Sequence, residues 1–306
     1  MSNNTFFVTT VTGVQGGAVA RHLLKQNATV HAITRTVDSP AAQELQSLGV
    51  KLFSGNLDNK EALKAGMQGC TGLFLNLPHD PTVAVTYAQT ILAVAKDAGI
   101  KHVVYSTALG VNAPEKFAAW DPNGMIAMVM LPKQTIEKLL TDYGFESWTI
   151  VRPGNFMANF TKPKILLTYP GLETTGVFRT SFEKTNVIPM VDHDDIGKFG
   201  AAALLDPTRF NKQAIEIASE LMTVDQIMAD LSKATGKKIS AHYLSDKELE
   251  SEAAQGSPAS WHVFLRDLAQ FVDENKLKSW GIPLNSFSDF LAREKEAVIE
   301  TYSQAP

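Results

Sequence analysis

Two periods of apolar residues alternate along the first half of the chain. Residues 6–11 (FFVTTV) form an unbroken apolar and β-branched run, the pattern of a strand covered on both faces. GGAVARHLLKQ follows, with Val19 and Leu23, and Ala20 and Leu24, four apart, which predicts a helix. Residues 29–34 predict a second strand. Ser39 as N-cap with Pro40 in the first turn predicts a helix that Gly49 closes. VKLFSG then reads as strand, KEALKAGM as a helix capped by Asp58 or Asn59, and residues 72–77 as a strand ended by Pro78. Residues 82–98 predict a helix stopped by Gly99, HVVYST a strand, 132–143 a helix stopped by Gly144, and FESWTIV a strand. Six such alternations predict a doubly wound, parallel, Rossmann-like α/β sheet.

After Arg152-Pro153-Gly154 the rhythm breaks. Residues 155–190 read as long loops, 194–205 as a helix and IEIA as a short strand. Thr223 and Gln226 form a capping box for a helix running to Thr235. ISAHYL reads as strand and the tail from Ser257 as mostly amphipathic helix. With no repeat or polar linker, the expected organisation is a dinucleotide-binding domain over 1–154 and a smaller α/β cap over 155–306, packed on it and serving the substrate.

Composition narrows the function. At 306 residues the chain can bury a full core without staples. A net charge of −4 argues against a chain-wide electrostatic grip on nucleic acid, which needs a concentrated basic face. The single cysteine, Cys70, excludes an internal disulfide and a Cys-based zinc site. No basic stretch precedes the first apolar residues, and the longest strongly apolar run, 125–131, is far below the roughly 20 residues of a spanning helix. A soluble protein of the reducing cytoplasm is expected.

The stretch VTTVTGVQGGAVAR carries the strongest motif. Gly13, Gly16 and Gly17 lie between a predicted strand and a predicted helix. There a chain can approach a pyrophosphate closely, and helix N–H groups can hold its charge. The plain alternative is a tight turn with no ligand. Thr10 occupies the position usual for the first glycine and is expected to crowd the turn. At the end of the second strand, where NAD binders place a carboxylate, stand Thr34 and Arg35. Arginine binds a 2′-phosphate that a carboxylate would repel, so NADP is the expected cofactor, against a merely solvated Arg35. Asp38 reads as a local cap.

The segments TGVQGGAVAR, AITRTVDSPAAQELQSLGV, FSGNLDNKEALKAGMQGCTGLFL, IVRPGNFMANF, VDHDDIGKFGAAAL and ASELMTVDQIMADLSKATGKK resemble, in order, the NmrA-like family of atypical short-chain dehydrogenases/reductases. That family includes NADP-dependent reductases of secondary metabolism and redox-sensing regulators that bind the dinucleotide without turning it over. The resemblance implies that Gly13, Gln15, Gly16 and Gly17 form the pyrophosphate turn and that Arg35 meets the 2′-phosphate. It implies that Asn56, with Leu57 beside it, stands where the family has Asp facing the adenine. Asn76 and Leu77 would lie near the nicotinamide ribose, Lys133 matches the active-site lysine, and Asn155, Phe156 and Met157 match the chain passing the nicotinamide.

Ordinary short-chain dehydrogenases use Tyr-x-x-x-Lys, and here Val129 stands four residues before Lys133. Pro132 in a helix's first turn would leave Val129 outside that helix, so the standard mechanism is not expected. Lys133 could anchor a ribose or act as acid or base; the plain alternative is a surface lysine at a helix start. Ser106 ends the fifth strand, where reductases carry a substrate-polarising serine, though serine is common at strand ends. Tyr105 points the other way and reads as packing. His79 could donate a proton but reads better as a solvated loop residue. His193, Asp194 and Asp195 look like a metal cluster by composition but better suit N-capping, so no metal is assigned. Trp120, Met125, Met128, Met130, Trp261 and Phe264 could line an apolar pocket but each suits core. Two functions follow: an NADP-dependent reductase of a hydrophobic carbonyl, enone or imine, or a non-catalytic redox sensor acting through a protein partner. Lys133, Ser106 and the long apolar region between Ala108 and Leu131 favour the first, and the missing tyrosine and Thr10 favour the second.

Overall fold

The computed structural model describes residues 4–306 except 79, 255 and 257–261. The alternating pattern folds as β1 (Thr5–Val8), α1 (Val14–Lys25), β2 (Thr29–Thr34), α2 (Pro40–Ser47), β3 (Lys51–Ser54), α3 (Lys60–Met67), β4 (Gly72–Leu75), α4 (Pro81–Asp97), β5 (His102–Ser106), α5 (Met125–Asp142) and β6 (Ser147–Pro153). A seventh strand, Gln213–Ile217, completes one sheet in the order 213–217, β6, β5, β4, β1, β2, β3. The β1–β2, β2–β3, β1–β4, β4–β5 and β5–β6 pairs are parallel. Chain order reverses across β1, which has β2 on one side and β4 on the other. In such sheets ligands bind at that switch, outside the carboxyl ends of the strands.

Local signals behave as their chemistry dictates. The Ser39 side chain accepts from the Ala42 N–H with Pro40 in the first turn, and Asn59 rather than Asp58 caps α3. Asp38 is not the cap of α2, because Ser39 already serves it. Val8, Leu73, Leu75 and Val103 are buried, as strands covered by helices on both faces require.

The chain divides into two compact units: Met1–Pro114 with Asp121–Pro153 and His193–Glu216, and Glu115–Trp120 with Gly154–Asp192 and Ile217–Pro306. In the first, the helix His193–Leu205 packs against α1, where His22 meets Asp194 at 2.7 Å. In the second, residues 155–190 are not simply loops. The strands Asn155–Phe156, Val187–Val191 and Glu220–Thr223 make a three-stranded sheet, and Val177–Thr180 pairs in parallel with Ser240–Tyr243. Short strands of this kind are masked in the sequence by flanking glycines and prolines, such as Gly176 at φ +68°. The capping box at Thr223 and Gln226 opens the helix Val224–Thr235. Its core gathers Phe160, Phe178, Ile188, Met190, Phe287 and Tyr302. From His262 on, the tail is mostly helical, as a series of short helices. Among the described residues no helix is long and apolar enough to cross a membrane.

Candidate active site

At the switch point the chain leaves β1 through a tight turn into α1. A Cβ on Gly16 would sit 2.6 Å from the Thr10 carbonyl oxygen and 2.8 Å from that of Thr9. On Gly17 it would meet the Arg21 guanidinium at 2.9 Å and the Val11 carbonyl at 3.1 Å. Glycine at 16 is therefore demanded by the turn's own packing, whether or not a ligand comes near. The ligand signal lies one step earlier. Gly13 is the N-cap, it is exposed, and no side chain caps the first N–H groups of α1. An uncapped, accessible helix start suits an anion such as a pyrophosphate.

The crowding expected from Thr10 takes another form. Thr10 sits at φ +48°, a left-handed conformation that costs a β-branched residue roughly 1–2 kcal/mol. Its hydroxyl is held across the switch point: Asn76 Nδ2 donates to Thr10 Oγ1 at 2.8 Å. Thr9 Oγ1 donates to the Asn76 carbonyl at 2.6 Å and accepts from the Asn76 N–H at 2.7 Å. Gln15 Nε2 reaches Asn76 Oδ1 at 3.4 Å, and Ser106 Oγ donates to Gln15 Oε1 at 2.6 Å. Thr10, Gln15, Asn76 and Ser106 thus form one polar chain along the carboxyl ends of β1, β4 and β5. Thr9 belongs to it although nothing in the sequence pattern singled it out.

Other expected residues are dispersed. Thr34 is half-buried at the end of β2, and Arg35 is exposed with no hydrogen bond or ion pair to a described residue. Asn56 donates from Nδ2 to the Tyr87 hydroxyl at 3.2 Å, a partner the sequence did not indicate. The Leu57 side chain belongs to the apolar core. Asn155 and Phe156 lie in the other unit, where Asn155 Oδ1 accepts from Tyr169 and Asn159 at 3.1 Å each. Met157 is in that unit's core. His79 and Trp261, and the Phe264 side chain, lie outside the described residues.

The second half of the site corrects the sequence expectation for α5. The helix begins at Met125, seven residues before Pro132, so Pro132 is interior and Val129 is helical. Met125–Leu131 is rich in good helix formers, and burying Ile126, Ala127 and Met130 offsets the single hydrogen bond that proline removes. Without an N–H at 132, the Met128 carbonyl has no partner four residues on. Met125 and Met128 are exposed rather than core, Met130 is buried and Trp120 is half-buried.

Leu77, Tyr105, Ser106, Val129, Lys133 and Ile136 surround a cavity of about 80 Å³. Lys133 makes no hydrogen bond or ion pair with a described residue. Burial lowers the pKa of its ammonium, against the pull of Glu137 one turn on. Tyr105 is in the core, and burial holds its phenol protonated. Asp194 and Asp195 occupy the first turn of their helix and engage Lys198, at 3.4 and 2.7 Å.

A parallel sheet with a glycine turn at its switch point and a polar chain along its carboxyl edge defines a Rossmann-like α/β protein. The chain belongs to the NmrA-like family, whose model matches residues 2–288. An NmrA-like family domain-containing oxidoreductase of Cladobotryum sp. is 31% identical over 257 residues, 76% of this chain and 75% of that protein. The fold is similar to that of an NADPH-dependent quinone oxidoreductase of Escherichia coli solved with NADPH, with TM-score 0.71, 22% identity, and coverage of 94% and 99% of the two chains. It is also similar to NmrA, a negative transcriptional regulator solved with NADP, with TM-score 0.68, 21% identity, and coverage of 99% and 96%.

Proposed function

We propose that the chain is an NADP-dependent oxidoreductase that reduces a hydrophobic carbonyl, enone or imine. The observation that carries this reading is Lys133, unpaired and opening into the same cavity as Ser106 at the carboxyl edge of β5. The uncapped start of α1 suits the pyrophosphate of a dinucleotide, and the unpartnered Arg35 suits a 2′-phosphate. The dinucleotide would supply hydride from C4 of its nicotinamide. Val129 puts an isopropyl group where ordinary short-chain dehydrogenases carry a phenol, so the proton falls to Lys133. An amine whose pKa is lowered by burial gives up its proton more readily than a surface lysine. Ser106 orients the substrate once its hydroxyl leaves Gln15. The family's oxidoreductases, including the Cladobotryum relative, support the reading.

A second reading, a dinucleotide-binding redox sensor with a protein partner, is favoured by two specific features. The Ser106 hydroxyl is already given to Gln15, and the cavity is about half the ~150 Å³ that accommodates a benzene ring in an apolar core. The deciding assay follows reduced-nicotinamide absorbance with NADPH and a panel of aromatic enones, quinones and cyclic imines. Turnover is expected, and Lys133→Met should lower it by about 10²–10⁴, as loss of a positioned proton donor does. NADPH binding with no turnover on any substrate would leave the sensor reading standing.

A further inference from the structure

The apolar wall of the cavity beside Lys133 continues onto the surface of α5. No residue from Met125 to Pro132 is polar, yet Met125, Met128 and Val129 are 49, 61 and 40% exposed. A helix that is apolar on every side is ordinarily buried, and the exposed face of a helix is ordinarily polar. The exposed apolar residues are not scattered. At about 100° per residue, Met125, Val129, Pro132 and Ile136 fall within about 60° of one another around α5, with Met128 and Lys133 on the two flanks. Val129, Pro132, Lys133 and Ile136 are walls of the cavity. One stripe therefore runs from two exposed methionines, over Val129, into the cavity, and Val129 belongs to both.

We propose that this stripe is the specificity surface of the site: it takes the apolar body, aryl or alkyl, of a substrate whose polar end enters the cavity at Lys133. The inference rests on the reading of that cavity as the place of reaction. Size argues for a small molecule as the occupant. A cavity of about 80 Å³ admits a carbonyl group and its neighbouring carbons, so the rest of a larger substrate lies outside, against the wall it passes. At the exposures given, Met125, Met128 and Val129 together offer on the order of 300 Å², the size of a functional surface patch. That matches an aromatic group of roughly 150–250 Å² and falls well short of the ~800 Å² that each partner gives to a stable protein interface. Methionine suits the task, because its unbranched, polarizable chain moulds to bodies of different shape. Beyond Lys133 the stripe offers a substrate no charge and no side-chain hydrogen bond, so it selects by apolar area.

The test is an NMR titration of the full-length protein, ¹³C-labelled at its methionine methyl groups, with and without NADP⁺, which cannot reduce a ketone. The probes are butan-2-one and 4-phenylbutan-2-one, which share a methyl ketone and differ by a phenyl group. The phenyl ketone should bind about tenfold more tightly, as burial of roughly 60 Å² of apolar surface implies. It should move the methyl signals of Met125 and Met128, which Met125→Gln and Met128→Gln identify by their loss, whereas butan-2-one should leave Met128 in place. Glutamine has nearly the helix propensity of methionine, so both variants fold, and each should lose most of the phenyl advantage. Leu48→Gln should keep it. Leu48 is 48% exposed but caps the C-terminus of α2, just before β3 begins at the amino edge of the sheet, away from the cavity. Equal affinities for the two ketones, unmoved methionine signals, or an equal loss in Leu48→Gln would overturn the proposal. So would signals of Met125 and Met128 that move with protein concentration alone, which would assign the stripe to a second copy of the chain. The titration needs no turnover. If NADPH is never oxidised while the phenyl ketone moves both methionines, the proposed function fails and the binding surface stands; turnover with both methionines unmoved does the reverse.

Discussion

Thr10 shows how a single residue can depart from a motif without breaking it. Its left-handed backbone is where glycine is favoured, yet its hydroxyl accepts a 2.8 Å hydrogen bond from Asn76 and ties β1 to β4. Thr10→Gly relieves roughly 1 kcal/mol of backbone strain and forfeits a hydrogen bond of about the same size, so its folding stability should stay within about 1 kcal/mol of wild type. Thr10→Ala keeps the strain and loses the bond, and it should be the least stable of the three by about 1 kcal/mol. Urea unfolding orders them; an alanine variant as stable as wild type would mean the Asn76 bond contributes nothing. Calorimetry with NADPH on the same variants tests the turn directly. If crowding limits the ligand, the glycine variant binds more tightly.

At the scale of the element, α5 carries a conflict between its sequence and its course. Pro132 occupies its eighth position, where the ring excludes one helical hydrogen bond, and it also lines the cavity beside Lys133. Pro132→Ala restores the donor for the Met128 carbonyl at a modest cost in unfolded-chain entropy. It should stabilise the protein by about 1–2 kcal/mol, read as a higher melting temperature. If the irregular turn shapes the cavity for substrate, the same variant loses turnover while gaining stability. No gain in stability would show that the surrounding packing has already absorbed the proline. The conflict also explains why the start of the helix was not legible. A proline at 132 reads as a first turn, and the burial of Ile126, Ala127 and Met130 is what extends the helix back to Met125.

For the whole molecule, cofactor choice is a linkage effect on stability. A ligand that binds only the folded chain stabilises it by about 2.7 kcal/mol at a hundredfold excess over its Kd. NADPH should therefore raise the melting temperature more than NADH at equal concentration. Arg35→Ala should remove most of the difference, because a charge-assisted contact to a 2′-phosphate contributes roughly 1.5–3 kcal/mol, about tenfold to a hundredfold in affinity. Equal shifts by the two dinucleotides on the wild-type chain would remove NADP preference from the proposed function.

What the sequence determined by itself are the features decided within a few residues. The two periods of its apolar pattern named the helices and strands of the first 154 residues. Ser39, Asn59, Thr223 and Gln226 marked helix starts, since a cap hydrogen-bonds only to its own first turn. The glycine turn was legible for the same reason, although its closest contacts are with its own carbonyls. The tertiary structure decided what depends on residues far apart in the chain. Ser106 meets Gln15 across 91 positions and Asn76 meets Thr10 across 66, and neither spacing leaves a periodic trace. Nor did the sequence mark Arg152 and Glu216, which meet only because the strand 213–217 pairs with β6. Burial and charge act through space, so the state of Lys133 depends on the fold that buries it as well as on Glu137 of its own helix.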